Sequence, residues 1–352
     1  MQLFDRFWTR RQLEARIGRT DAIFGLRRYK GTEGFETEVE WIRMQSGAGL
    51  NVEICPSKAL DLTGATFHGV PISWSCVNGD VHPAYYVPNG AEWLRTASGG
   101  LLMTCGLAHV GEPAVEQGEV HGLHGRIHHI PAKQVVAEGN WEQDDYTMRV
   151  AGVMEESSIF GRHLRLTREI RMNAGENRIV LTDTVTNFGF QTAEHMMLYH
   201  FNFGFPLLDE QTSLLFPHTA ELSKIGGGEA TGYKRWPLPD SGDDGAVYEH
   251  QLNRQAIGED GMAEAIILNP SFPLPGPSGR HLPVEMHLRW SADTLPCLTQ
   301  WVAPMAGEHV LSIEPGNCGV MGRSVAREKG TLCHLAPGES VQYRVELEVM
   351  LS

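Results

Sequence analysis

The chain has 352 residues, 41% hydrophobic and 20% charged, with a formal net charge of -14. This is the composition of a folded globular protein with a large core; so acidic a balance argues against nucleic acid or an anionic membrane as partner. No apolar run reaches the ~18 residues of a membrane span, the start shows no secretory pattern, and six cysteines without Cys-x-x-Cys spacing read as reduced thiols of a cytoplasmic protein.

Taken in chain order, the first element is a helix. Thr9 is followed three residues later by Gln12, a capping box. Trp8 and Leu13 can staple its start, Leu13 and Ile17 share a face, and Gly18 supplies a stop. This helix belongs to an N-terminal extension over residues 1–30. From there the period becomes two. Val39 and Trp41 alternate with glutamates, and Leu50, Val52 and Ile54 alternate with Asn51 and Glu53. Residues 164–185 read as a hairpin around Gly175-Glu176-Asn177, and 284–290 and 341–349 as further half-buried strands. Three loop-rich stretches, Gly226 to Gly232, Pro239 to Gly245 and Asn269 to Pro283, interrupt the strands without a shift in composition. With no βαβ alternation, the expected fold class is all-β: a large antiparallel β-sandwich with a short N-terminal helix, in one domain over 1–352.

Five stretches can carry chemistry. Asp61 to Trp74 reads as strand, turn and strand, with Asp61 as a ligand contact or a turn residue and His68 as an exposed ring or a contact. Trp93 to Gly106 crowds glycines around Arg95, which is a clamp for a substrate oxygen or a surface charge. His121 to His129 gathers four histidines and Arg126 between glycines. Imidazoles suit transition metals, but the spacing is not that of a helical zinc site, and a metal is not expected. His124, with Arg126 on the same side of an extended segment, is instead suited to contact a ligand. His195 to Pro206 is an apolar, aromatic strand in which His200 and Asn202 share a face and His195 takes the other. Taken alone, His200 is a bonded core histidine or a ligand contact. Finally, Gln300-Trp301 sets an amide beside an indole, and Val310-Leu-Ser-Ile313 runs into Glu314-Pro-Gly-Asn-Cys. Glu314, held at a strand end, is a candidate general base or a turn-capping carboxylate.

Several of these segments together resemble a known superfamily. Gly122-Leu-His-Gly, the strand with His200 and Asn202 before Gly204, and Ile313-Glu314-Pro315 look like the aldose 1-epimerase, or galactose mutarotase, superfamily. Trp93-Leu-Arg, Gly99-Gly-Leu-Leu, Tyr199-His-Phe-Asn-Phe-Gly-Phe-Pro-Leu-Leu-Asp209 and Glu314-Pro-Gly-Asn-Cys resemble its DUF4432 branch over nearly the whole length. The resemblance implies a galactose mutarotase-like supersandwich and a carbohydrate-binding isomerase that interconverts anomers of a monosaccharide or sugar derivative, with no cofactor. It implies Glu314 as base and His200 as acid, with His124, Arg126, Arg95, Asn202, Asp61, Gln300 and Trp301 as candidate substrate contacts. The superfamily's additional sugar-gripping Asp has only Asp61, Asp209 and Glu249 as candidates, and Tyr199-His200 replaces the usual Asn-His start. The expected partner is a small sugar, with a homodimer compatible. Another sugar epimerase or lyase on the same site, and a non-catalytic carbohydrate-binding protein, are the alternatives.

Overall fold

The alternation of apolar and polar residues becomes two stacked antiparallel sheets in the computed structural model, which describes residues 1–351 except 117, 241–244 and 275–280. The chain lays β1 (Gly25–Lys30), β2 (Glu40–Gln45), β3 (Leu50–Cys55), β4 (Asp61–Phe67) and β5 (Leu102–Leu107) in the first sheet. It crosses to build β6 (Lys133–Glu142), β7 (Asp145–Ser157), β8 (His163–Asn173) and β9 (Arg178–Asn187) in the second. It then alternates. β10 (Ala193–Phe203) returns to the first sheet, β11 (Ser213–Leu215) goes to the second, and β12 (Thr219–Lys224) and β13 (Ala246–Leu252) go to the first. β14 (Met262–Pro273) and β15 (His281–Ser291) join the second, β16 (Cys297–Met305) and β17 (Glu308–Gly316) the first, and β18 (Ser340–Leu351) the second. The first sheet runs β12-β13-β16-β17-β10-β5-β4-β3-β2-β1, and the second β6-β7-β8-β9-β18-β15-β14-β11. One continuous core lies between them, with Ile54, Leu102, Phe201 and Ile313 from the first facing Val150, Leu166, Leu181 and Leu347 from the second.

The expected hairpin over 164–185 is β8 and β9, and the strands expected over 284–290 and 341–349 are β15 and β18. The capping box also forms: the Gln12 amide donates to Thr9 Oγ1 at 3.2 Å, and Thr9 N donates to Gln12 Oε1 at 3.1 Å. The helix is shorter than expected, however. α1 (Arg10–Glu14) ends before Gly18, although the Ile17 amide still donates to Leu13 O at 3.1 Å, and the rest of the extension is partly strand: Gln2–Leu3 pairs with Arg6–Phe7, and β1 is an outer strand of the sheet. The proline-rich stretch from Asn269 is likewise not all loop. β14 continues through a register shift between Asn269 and Phe272, beyond the last residue paired with β11, where Pro270 removes no ladder bond needed by a neighbour. The remainder of that loop, at 275–280, and of the Pro239 loop, at 241–244, lies outside the described residues. Among the described residues, no helix is long and apolar enough to cross a membrane.

A second helix was not legible in the sequence. α2 (Arg323–Glu328) follows the Glu314 loop, has no apolar stripe and is held by ion pairs. Arg323 and Arg327 reach Glu116 at 2.9 and 2.8 Å, and both also pair with Glu194 on β10.

Candidate active site

Register decides which side chains meet. Successive residues of a strand point to opposite faces, and cross-strand partners share one. Met103 pairs with His200, Asn202 with Ser312, Ser312 with Trp301, Glu314 with Thr299, and Thr299 with Glu249. These residues occupy the first sheet's outer face. Leu102, Tyr199, Phe201, Ile313 and Gln300 point the other way, toward the second sheet. The register that joins Phe201 to Ile313 also sets His200 opposite Glu314, one step along. A histidine and a glutamate far apart in the chain thus become cross-strand neighbours.

Their contact is direct. His200 Nε2 lies 3.3 Å from Glu314 Oε1, and both residues are buried. On the other side of the ring, Nδ1 lies 2.6 Å from Asn202 Oδ1, while Asn202 Nδ2 donates to the His200 carbonyl at 2.9 Å. The Ser312 hydroxyl donates to Glu314 Oε1. Glu314 Oε2 is buried and has no partner among the described residues. A lone acceptor in that position is costly to bury unless something else binds it.

The turn from Gly122 to Arg126 brings a second ring to the pair. His124 has φ of 55°, and its backbone is pinned between Gly111 O and Gly106 N at 2.9 and 3.1 Å. Gly125 follows at φ of 76°, and a Cβ there would stand 2.3 Å from His109 O and 2.4 Å from Gly106 O. Only glycine fits. So held, the His124 ring meets His200 edge-on at 5.6 Å, with its buried Nδ1 unpartnered among the described residues. Burial, with the His200 and His109 rings nearby, pushes His124 down to about 3, so it is neutral near pH 7. Trp301 closes another side, its ring 6.0 Å from His200, and Trp93 packs on Met103 and 5.1 Å from His124.

Four of the expected contacts go elsewhere. Asp61 is fully buried between the sheets, where it accepts from Arg168 Nη1 at 2.7 Å and from Thr104 N at 2.8 Å, with His128 Nδ1 at 2.7 Å. Burial alone would raise its carboxyl; the His128 hydrogen bond and the Arg168 charge outweigh burial and hold it below the usual carboxylate range. Gln300 faces the core by parity, and its amide is bound to His250 at 3.0 Å and to Tyr233 O at 2.8 Å. Arg95 is exposed and pairs with Glu92 at 3.2 Å. Arg126 is exposed too, and neither guanidinium pairs with His200, His124 or Glu314 among the described residues. Asn202 reaches the site, but it spends its amide on His200.

The remaining histidines disperse. His121 stacks on His109, His128 binds Asp61, and His129 stacks on Tyr86 at 3.9 Å. Among the described residues, no three His, Cys, Asp or Glu side chains form a metal-binding group. His195 is bound to Leu107 O and the Tyr343 hydroxyl, as a core histidine is. Two residues of the face, Ser312 and Thr299, were missed in the sequence. Ser312 was findable, because it lies two before Glu314 on a strand and so shares its face.

The family described as a domain of unknown function, DUF4432, matches residues 36–349. No curated protein matches the chain in sequence. Among solved structures, a protein of Klebsiella pneumoniae subsp. pneumoniae MGH 78578 provisionally named an aldose 1-epimerase has a TM-score of 0.81 at 23% identity, covering 92% of this chain and 83% of that one. A galactose mutarotase-like protein from Clostridium acetobutylicum has a TM-score of 0.56 at 12% identity, covering 94% and 100%. The galactose 1-epimerase of Lactobacillus acidophilus NCFM has 0.55 at 13%, covering 94% and 99%. At such identities the likeness is one of fold, and function has to be argued from the site.

Proposed function

The chain belongs to the DUF4432 family, and from that premise we propose that it is an aldose 1-epimerase-like isomerase that interconverts the anomers of a free monosaccharide by acid–base ring opening. One observation carries the reading: a buried carboxylate with an oxygen, Glu314 Oε2, that has no partner among the described residues, and whose other oxygen lies 3.3 Å from a histidine nitrogen on the next strand. Glu314 takes the proton of the anomeric hydroxyl. The His200 imidazolium passes its Nε2 proton to the ring oxygen. The bond between C1 and the ring oxygen breaks with its electron pair going to that oxygen, and C1 becomes an aldehyde. Rotation about C1–C2 presents the other carbonyl face, the ring closes, and each proton returns. Nothing is oxidised or reduced. Two groups with opposite proton duties are what such chemistry requires.

The charges around the pair favour an uncharged sugar. His124 is neutral, Glu249 shares the face one strand beyond Thr299, and no Lys or Arg pairs with His200 or Glu314 among the described residues. A phosphosugar would need a cation that Arg95, exposed and paired with Glu92, and Arg126, exposed, do not provide. Glu249 is the candidate for the acid that grips sugar hydroxyls, and Trp301 and His124 are candidate walls for the ring.

The test is exchange between anomers, followed by NMR over a panel of neutral aldoses. Catalysed exchange is expected for at least one sugar, and His200→Ala and Glu314→Gln are each expected to slow it about 10²- to 10⁴-fold. Activity that survives both substitutions overturns the assignment. A wild type that binds a sugar without catalysing exchange points instead to a carbohydrate-binding protein, and turnover to a different product points to another epimerase or a lyase.

A further inference from the structure

We propose that Asn202 is a positioning residue: it holds the proton of the neutral His200 ring on Nδ1 and thereby makes Nε2, the nitrogen facing Glu314, the atom that gains and loses the working proton. The inference rests on the acid–base reading for its use, but it is a statement about the free protein and is tested there.

Asn202 lies two residues beyond His200 on β10, so its side chain stands on the same face. It is fully buried, without water to compete for its amide. One end of that amide is 2.9 Å from the His200 carbonyl oxygen. A carbonyl oxygen only accepts, so the amide nitrogen must be the end that meets it. The amide oxygen is then the end 2.6 Å from His200 Nδ1. An amide oxygen also only accepts, so Nδ1 must carry a proton. In the neutral ring the other nitrogen is then a lone pair. In the imidazolium, Nε2–H is the free donor, and it faces Glu314 Oε1 at 3.3 Å. The opposite tautomer would set two acceptors against each other at 2.6 Å, in a buried place where neither could turn to solvent.

The Ser312 hydroxyl completes the map. It donates to Oε1, the oxygen that also faces His200, and leaves Oε2 without a partner among the described residues. The charged and titratable groups around the ring are Glu314 from β17, His124 from the Gly122 turn and, farther along the face, Glu249 from β13. Of these, among the described residues, only Glu314 approaches a ring nitrogen, and that nitrogen is Nε2, which it can bond only once the ring is an imidazolium; at Nδ1 the one partner is Asn202, which therefore determines the proton there.

The experiment is long-range ¹H–¹⁵N NMR of protein labelled in its histidine rings, at alkaline pH, with His200 assigned by its loss in His200→Gln. The expected wild-type spectrum shows a protonated Nδ1 and a bare Nε2 for His200. Asn202→Asp, whose carboxylate also accepts from Nδ1 although it gives up the amide's bond to the His200 carbonyl, keeps that pattern. Asn202→Leu, which removes the acceptor, loses it, with kcat for anomer exchange falling about 10- to 100-fold at nearly unchanged KM and recovering in Asn202→Asp. A wild-type His200 protonated on Nε2, or a pattern unchanged in Asn202→Leu, overturns the proposal even if the enzyme is active. Should Asn202→Leu fail to fold, the wild-type and Asn202→Asp spectra still decide it. The expected pattern in a protein that exchanges no anomers upholds the positioning and removes the catalytic reading instead.

Discussion

Glu314 is only 2% exposed, yet one of its oxygens meets no donor among the described residues. Burying an unpaired acceptor costs about 1–3 kcal/mol, a cost that a ligand hydroxyl in that position would offset. Ser312 supplies the other half of the arrangement by engaging Oε1. Hydrogen bonds to charged groups contribute about 1.5–3 kcal/mol, so Ser312→Ala is expected to lower kcat about 10- to 100-fold while changing KM little. Steady-state kinetics on the sugar that shows exchange checks this; an unchanged kcat would mean that Glu314 needs no help to hold its position. At this scale the sequence was legible where parity applies. His200 and Asn202 share a face, His195 takes the other, and Gln300 and Trp301, being adjacent, cannot both reach one site. Applied to Gln300 and to Ser312, the same rule would have excluded the first and found the second.

The Gly122 to Arg126 turn shows how an element carries one side chain to the site. Its strain is concentrated in His124 and Gly125, both left-handed, and Gly125 is flanked by the carbonyls of His109 and Gly106. A methyl group at Gly125 has no room, and its φ of 76° disfavours any L side chain. Gly125→Ala is therefore expected to destabilise the protein by about 1–3 kcal/mol, read as a lower urea midpoint, and to reduce activity by moving His124. Helix α1 was legible because its signals are local: Thr9, Gln12 and Leu13 lie within one turn. Helix α2 was not, because Arg323 finds Glu116 at a separation of 207 residues, and no local pattern announces such a pairing.

Across the molecule, the two sheets are joined by a buried polar network as well as by the apolar core. Asp61 on β4 binds Arg168 on β8, which binds Asp183 on β9 at 2.7 Å, and the Tyr199 hydroxyl on β10 donates back to Asp183 at 2.7 Å. All of it is buried. Removing one member of a buried ion pair strands its partner at a cost of about 3–5 kcal/mol, so Asp61→Asn is expected to lower global stability by that order, measured by calorimetry or denaturant unfolding. A variant of unchanged stability with impaired sugar binding would return Asp61 to the role expected from its sequence neighbourhood. The sequence alone determined the β class, the alternating strands over 164–185, 284–290 and 341–349, and the cap of α1, because alternation and capping depend on residues a few positions apart. Through the resemblance it also put forward His200, Glu314 and His124 as candidates. Only the tertiary structure decided that His200 lies across from Glu314, that Ser312 and Asn202 engage them, and that Asp61, Gln300 and Arg95 are used elsewhere. Register between strands distant in the chain is set by the packing of whole sheets, which no local pattern encodes.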